Sequence, residues 1–260
     1  MPPRIPTQAD FASLESTLPL SIHFPNPPES TTTFLILFHG LGDNEVPFAS
    51  FARNLSLPGV LAISVRGTAP LPPSLLPDDD DDDVQQADRH FHWGDDLRLD
   101  QGTGALDADP GFDKAARAVM NKLVKETLIE GLGWEMSDII FFGFGQGGSL
   151  ALGLASRLRT LERIVDLTEG EKKIGKAAKG VVSIGGPLPL SMVPSLSGRE
   201  KSDTPVLVCQ LDGDEADMVK GEFKDVRVVN WKRKEVAMPR DRDEVFPIMK
   251  FFADQLNKPW

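Results

Sequence analysis

An α/β fold, with a mostly parallel central sheet and helices on both of its faces, is what this sequence predicts. The first observation is a series of short, nearly all apolar runs, at 33–38, 59–65, 139–142, 180–184 and 205–209. Runs without polar alternation are the mark of strands covered on both faces. The second is that segments between them carry helical apolar stripes, as parallel neighbours require a crossover connection. The third is the glycine punctuation where the runs end, at Gly40 and Gly42 and again at Gly143, Gly145 and Gly147. Glycines placed at strand ends build the tight loops on which ligands are held. A chain of 260 residues is long enough to bury a large core, and residues 1–260 read as a single domain.

In chain order, Leu20, Ile22 and Phe24 alternate with Ser21 and His23, which predicts a half-buried first strand. Residues 25–30 break it with a turn. The run 33–38 is a central strand that empties into His39-Gly40-Leu41-Gly42-Asp43. A short helix over 46–55 follows, with Phe48, Phe51 and Leu55 on one face, and then the strand 59–65. Residues 68–108 read as an irregular acidic insertion: a proline-rich lead, then six consecutive aspartates at 78–83 with no apolar period. The aspartates lack the glycine turn and ligand spacing of a calcium loop, so no metal site is expected there. Phe91-His92-Trp93 returns the chain to the core.

Asp109-Pro110 reads as a helix start, a capping side chain followed by proline at the first helical position. Its stripe is Phe112, Ala116, Val119, Met120, Leu123 and Val124, and Gly131 and Gly133 end it. The apolar strand 139–142 then enters Gly143-Phe144-Gly145-Gln146-Gly147, and a second apolar helix reaches about residue 161. A charged segment, 162–179, crosses back over the surface. Strands at 180–184, 205–209 and 226–229 and a closing helix over 244–256 complete the chain.

Composition excludes several classes of function. A formal net charge of −11 without a basic stripe argues against nucleic-acid binding. Cys209 is the only cysteine, so no intramolecular disulfide can form. The N-terminus has no apolar signal core, and no apolar run approaches the roughly 20 residues of a membrane span. The expectation is a cytoplasmic monomer or weak homodimer with no stable membrane insertion.

A strand, a sharp turn flanked by small residues and a helix form the nucleophile elbow, written G-x-S-x-G. Here its central residue is Gly145. Taken together, the HGLGD loop, Gly143-Phe144-Gly145-Gln146-Gly147-Gly148, the strand 180–183 leading to Leu188-Pro189-Leu190, and the strand 205–209 leading to Asp212-Gly213-Asp214 carry a resemblance. The chain resembles the phospholipase/carboxylesterase family of α/β-hydrolases, which includes the acyl-protein thioesterases. The resemblance covers nearly the whole chain and implies an α/β-hydrolase fold. It also implies hydrolysis of carboxylic esters or thioesters, palmitoyl-cysteine among them, by a Ser-Asp-His triad without a cofactor.

Carried over residue by residue, the family's nucleophile falls on Gly145 and its acid on Asp214, with Asp212 as a neighbouring competitor. The histidine falls on Val236 or a neighbour. No alternative alignment supplies it, because the last of the four histidines is His92. The oxyanion donors implied are the backbone N–H groups of Leu41 and Gln146, in the loop that also contains His39 and Gly40 and at the elbow. His39 is an architectural residue of that loop in the family. Ser149, one turn along the helix, reads as a packing or capping residue rather than a substitute nucleophile. His90 and His92 read as surface or lid residues and Cys209 as buried and inert.

Two function classes follow. One is a catalytically silent or very weak relative that keeps an acyl-binding groove, with an acyl ester or acylated protein as ligand. The other is an active ester or thioester hydrolase, depalmitoylating included, with a non-standard nucleophile. A different reaction built on His39 and Asp214 is a third reading with nothing else behind it.

Overall fold

The computed structural model describes residues 2–72, 75, 89–97, 99, 106–165, 177–195, 200–233 and 235–258, with the side chains of 159–165 excepted. The aspartates 78–83, most of the charged segment 162–179 and Lys234 lie outside the described residues.

The runs that lack polar alternation do form the interior of the sheet. β1 (Leu20–His23), β2 (Thr33–Phe38) and β3 (Val60–Val65) precede a short ribbon of β4 (Ala69–Pro70) and β5 (Phe91–His92). β6 (Ile139–Phe144), β7 (Gly180–Ile184), β8 (Val206–Cys209) and β9 (Val226–Val229) follow. The main sheet has the order β1-β3-β2-β6-β7-β8-β9. Every neighbouring pair is parallel except the edge pair of β1 and β3. All residues of β2, β3, β7 and β8 are buried, whereas edge strand β1 is half-buried throughout, as its alternation predicts.

Alternate residues of each strand feed two separate cores. Phe34, Ile36, Phe38, Ile139 and Phe141 pack on one face, with Val119, Leu123, Val124, Leu154 and Leu158. Leu35, Leu37, Ile140 and Phe142 pack on the other, with Phe48 and Ala52 of α1 (Glu45–Leu55) and Ile248, Phe251 and Phe252 of the closing helix. This period of two is the physical content of helices on both faces.

Helix α2 (Asp113–Arg117) runs on into a π-helical stretch, Ala118–Gly131. Its buried pairs recur at 115/116, 119/120, 123/124 and 128/129, and the last step of five suits the wider turn. The Thr127 hydroxyl donates to the Lys122 carbonyl across the same five-residue step. All six residues of the expected stripe are buried.

Its start corrects the reading of Asp109-Pro110. The Asp109 carboxylate instead accepts from the backbone N–H of Ser191, at 2.8 Å, and from its hydroxyl. The helix begins at Asp113, and its cap comes from outside the local chain. Asp95 accepts from the backbone N–H groups of Asp113 and Lys114, at 2.6 and 2.9 Å. Substituting Asp95→Ala is expected to destabilise the protein by about 1 kcal/mol, a usual capping value. Asp109→Ala should leave α2 intact, so amide hydrogen exchange in the first turn of α2 should quicken in Asp95→Ala and not in Asp109→Ala.

Within 68–108, the described residues near its ends pair with one another, and most of the rest lie outside the described residues. Ala69 pairs with His92 and Pro70 with Phe91, Leu99 bridges Leu106, and Trp93 is fully buried. α3 (Gln146–Val165) follows the elbow, α4 (Gly213–Glu222) follows β8, and α5 (Arg242–Leu256) closes the chain. Among the described residues no helix is long and apolar enough to cross a membrane.

Candidate functional site

Register brings the loops of the site together. Gly143 pairs with Phe38 of β2 on one side and with Ser183 of β7 on the other. The segments that leave these strands, from His39, from Gly145 and from Gly185, therefore emerge side by side at the carboxyl edge of the sheet, where open α/β sheets hold ligands.

The elbow turn is intact. Gly145 has φ +51°, the left-handed region, and its N–H donates to the Ile184 carbonyl at 2.8 Å. Its own carbonyl accepts from Gly148 N–H at 2.9 Å and Ser149 N–H at 3.1 Å, which starts α3. A Cβ on Gly143 would penetrate the Gly147 carbonyl, and one on Gly147 would penetrate the carbonyls of Phe38 and His39. These two flanks must be glycine for the strand, turn and helix to approach so closely. Gly145 differs: a Cβ there would meet nothing nearer than Gly40 Cα, 4.0 Å away. The position has room for a side chain and has none.

The HGLGD loop is braced from below. His39 is fully buried; its Nδ1 donates to Gly40 O at 2.7 Å, and its Nε2 accepts from Gly67 N–H at 2.8 Å. Both nitrogens are thus engaged, which fixes the neutral tautomer, and burial holds the imidazole pKa below its ordinary value. It cannot serve as a base without breaking the loop. The His39 carbonyl accepts from Trp93 Nε1 at 2.8 Å, and the Trp93 N–H donates to Gln146 Oε1 at 2.7 Å. The side chain of Gln146 therefore locks the start of α3 to the Trp93 segment. Among the described residues, the backbone N–H groups of Leu41 and Gln146 have no hydrogen-bond partner.

Val236 packs its side chain on Gly185, one residue past β7, and is 44% exposed. Its segment is tied down by Gln210, a non-glycine residue at φ +59°. Gln210 accepts from Trp231 N–H and donates to the carbonyls of Arg233 and Glu235, at 2.9 and 3.2 Å. Arg233 in turn lies 4.9 Å over the Trp231 ring and pairs with Glu244 at 3.0 Å. Asp214 is exposed in the first turn of α4, and Asp212 is that helix's N-cap, accepting from Glu215 N–H at 2.8 Å. Ser149 is 1% exposed, within the packing layer. Cys209 is fully buried, and burial pushes its thiol up to about 12, so no thiolate forms near neutral pH.

The sequence reads His90 and His92 alike, as surface or lid residues, and the structure separates them. His90 donates from Nδ1 to Gly42 O at 2.6 Å and lines a cavity of about 280 Å³ with Leu41, Gly42, Leu71, Leu75 and Leu106. The histidine pair around Phe91 was the available signal, since His92 faces the interior and is 6% exposed whereas His90 is half-buried. The cavity is apolar apart from this ring and the backbone. It abuts the loop whose Leu41 N–H is free. Among the described residues no cluster of His, Cys, Asp and Glu side chains could hold a metal ion.

Residues 21–225 match the family model described as Phospholipase/Carboxylesterase. An uncharacterized hydrolase of Schizosaccharomyces pombe is 29% identical over 231 residues, covering 85% of this chain and 83% of that protein. Another, from Mycosarcoma maydis, is 34% identical over 134 residues, covering 50% and 44%. Acyl-protein thioesterase 2 of Zea mays superposes with a TM-score of 0.59 at 18% identity, over 92% of this chain and 99% of that one. The Bacillus cereus carboxylesterase gives 0.58 at 15% identity, over 94% and 98%. At these identities the two structures bear on the fold alone. With an elbow turn between two obligatory glycines, a braced HGLGD loop, and a family model matched from β1 to the edge of β9, the chain belongs to the phospholipase/carboxylesterase family and has the α/β-hydrolase fold.

Proposed function

We propose that this protein is a cytoplasmic, non-acylating relative of the family's esterases and thioesterases, one that binds acyl groups and forms no acyl-enzyme. The observation that supports it is Gly145: an elbow in the left-handed conformation, with open space above it and no nucleophile. In this reading Val236 occupies the vacant histidine position and Asp214 is a residual acid. Losing the triad of a serine hydrolase costs about a millionfold in turnover, roughly 8 kcal/mol of barrier. Binding does not need those side chains. The free N–H groups of Leu41 and Gln146 suit a carbonyl or carboxylate oxygen, and the Leu41–Leu71–Leu75–Leu106 cavity suits aliphatic carbon. If a methylene takes about the volume of one water in the liquid, roughly 30 Å³, the cavity has room for about nine. Each buried methylene contributes about 0.8 kcal/mol before the cost of association is subtracted.

Two measurements test the reading. Octanoate at ten times its Kd should add about 1.4 kcal/mol of stability, raising Tm by roughly 3–5 °C. A fluorophosphonate probe should leave no serine adduct. A stoichiometric adduct would restore the serine-hydrolase reading, and a flat thermal titration would mean that no acyl ligand is held.

A further inference from the structure

We propose that His90 is a general base that activates water directly against an acyl carbonyl held by the Leu41 loop, giving slow hydrolysis with no covalent intermediate. The proposal rests on the acyl-binding reading above and adds an activity to it.

Elimination among the four histidines leads to His90. His39 has both ring nitrogens engaged and no exposed surface. His23 lies on edge strand β1 and lines a different cavity, with Phe24, Asn26 and Ser56. His92 is buried, and its Nδ1 has no partner. His90 alone lines the cavity that contains Leu41. Its Nδ1–H is anchored on the Gly42 carbonyl at 2.6 Å, which fixes the tautomer and leaves Nε2 with its lone pair. No hydrogen bond from a described residue occupies Nε2. A base oriented by an acceptor on its other nitrogen is the arrangement that general-base catalysis requires. The anchoring carbonyl is one residue from the Leu41 N–H, so base and oxyanion donor are set by the same loop.

In the step, His90 Nε2 takes one proton from water as the water oxygen bonds to the acyl carbon. The carbonyl electron pair moves onto oxygen, where the Leu41 and Gln146 N–H groups stabilise it. Collapse reforms the carbonyl and breaks the bond to the thiolate or alkoxide, which takes the proton back from His90. Ester or thioester plus water becomes acid plus thiol or alcohol, with no other reactant. Positioned general bases are worth about 10²–10⁴ in rate.

The probe is 4-nitrophenyl octanoate. The wild type should show slow, saturable turnover that octanoate inhibits. His90→Asn is the informative variant, because its amide can keep the donor to Gly42 O while lacking a base. It should lose at least tenfold in turnover with Tm unchanged, and His23→Gln should behave as wild type. Intact-protein mass spectrometry of the wild type during turnover should show no acyl adduct, a readout that needs no variant to fold. Wild-type turnover no faster than buffer, an active His90→Asn or an accumulating adduct would each overturn the proposal. An octanoate thermal shift without turnover would remove the His90 chemistry and leave acyl binding standing; absence of both would remove both.

Discussion

The double variant Gly145→Ser/Val236→His is expected to hydrolyse 4-nitrophenyl esters far faster than either single variant. Gly145 already holds the left-handed backbone of the elbow, and a Cβ there would have 4.0 Å of clearance to Gly40 Cα. Placing serine in that conformation should therefore cost strain alone, about 1–2 kcal/mol, with no repacking. Alone it should add little, because no imidazole stands by to accept the hydroxyl proton. Val236 sits on Gly185, one residue past the Ile184 carbonyl that Gly145 N–H binds, and is 44% exposed, so a histidine at 236 has solvent-side room. Asp214 is the acid proposed to orient it. Members of a triad act as a unit, so the gain should be strongly non-additive. A double variant no faster than Gly145→Ser would show that residue 236 does not occupy the histidine position.

Gly147→Ala should have a large effect on stability, about 3 kcal/mol, the upper end of what overpacking usually costs. Its new methyl would collide with two backbone carbonyls, Phe38 O and His39 O, neither of which can rotate away. Moving them would disturb the carboxyl end of β2 and the carbonyl that Trp93 Nε1 binds. Gly145→Ala supplies the contrast, since it adds the same methyl to open space and meets only backbone strain. Urea midpoints of the two variants measure the difference. A Gly147→Ala protein as stable as Gly145→Ala would mean that the elbow is looser than its geometry shows.

The sequence by itself determined the sheet, because strands covered on both faces write their burial into consecutive apolar residues. β2, β3, β6, β7 and β8 each lie where such a run lies. It also showed that Gly145 has no side chain and that no histidine follows His92 within these 260 residues. Such statements depend only on composition and local order, which need no folded partner.

What depended on partners distant in the chain came from the tertiary structure. Asp109 looked like a helix cap because caps are recognised locally, yet its carboxylate bonds Ser191, 82 positions away. The cap that α2 does use, Asp95, lies 18 residues before Asp113. His90 is oriented by Gly42, 48 positions earlier, and no period or motif links the two. The space above Gly145 and the seating of Val236 on Gly185 likewise arise where separate strands end together. Hydrophobic periodicity is a property of one segment facing an average interior, whereas a hydrogen bond is a property of two particular atoms. Only packing brings those atoms within reach.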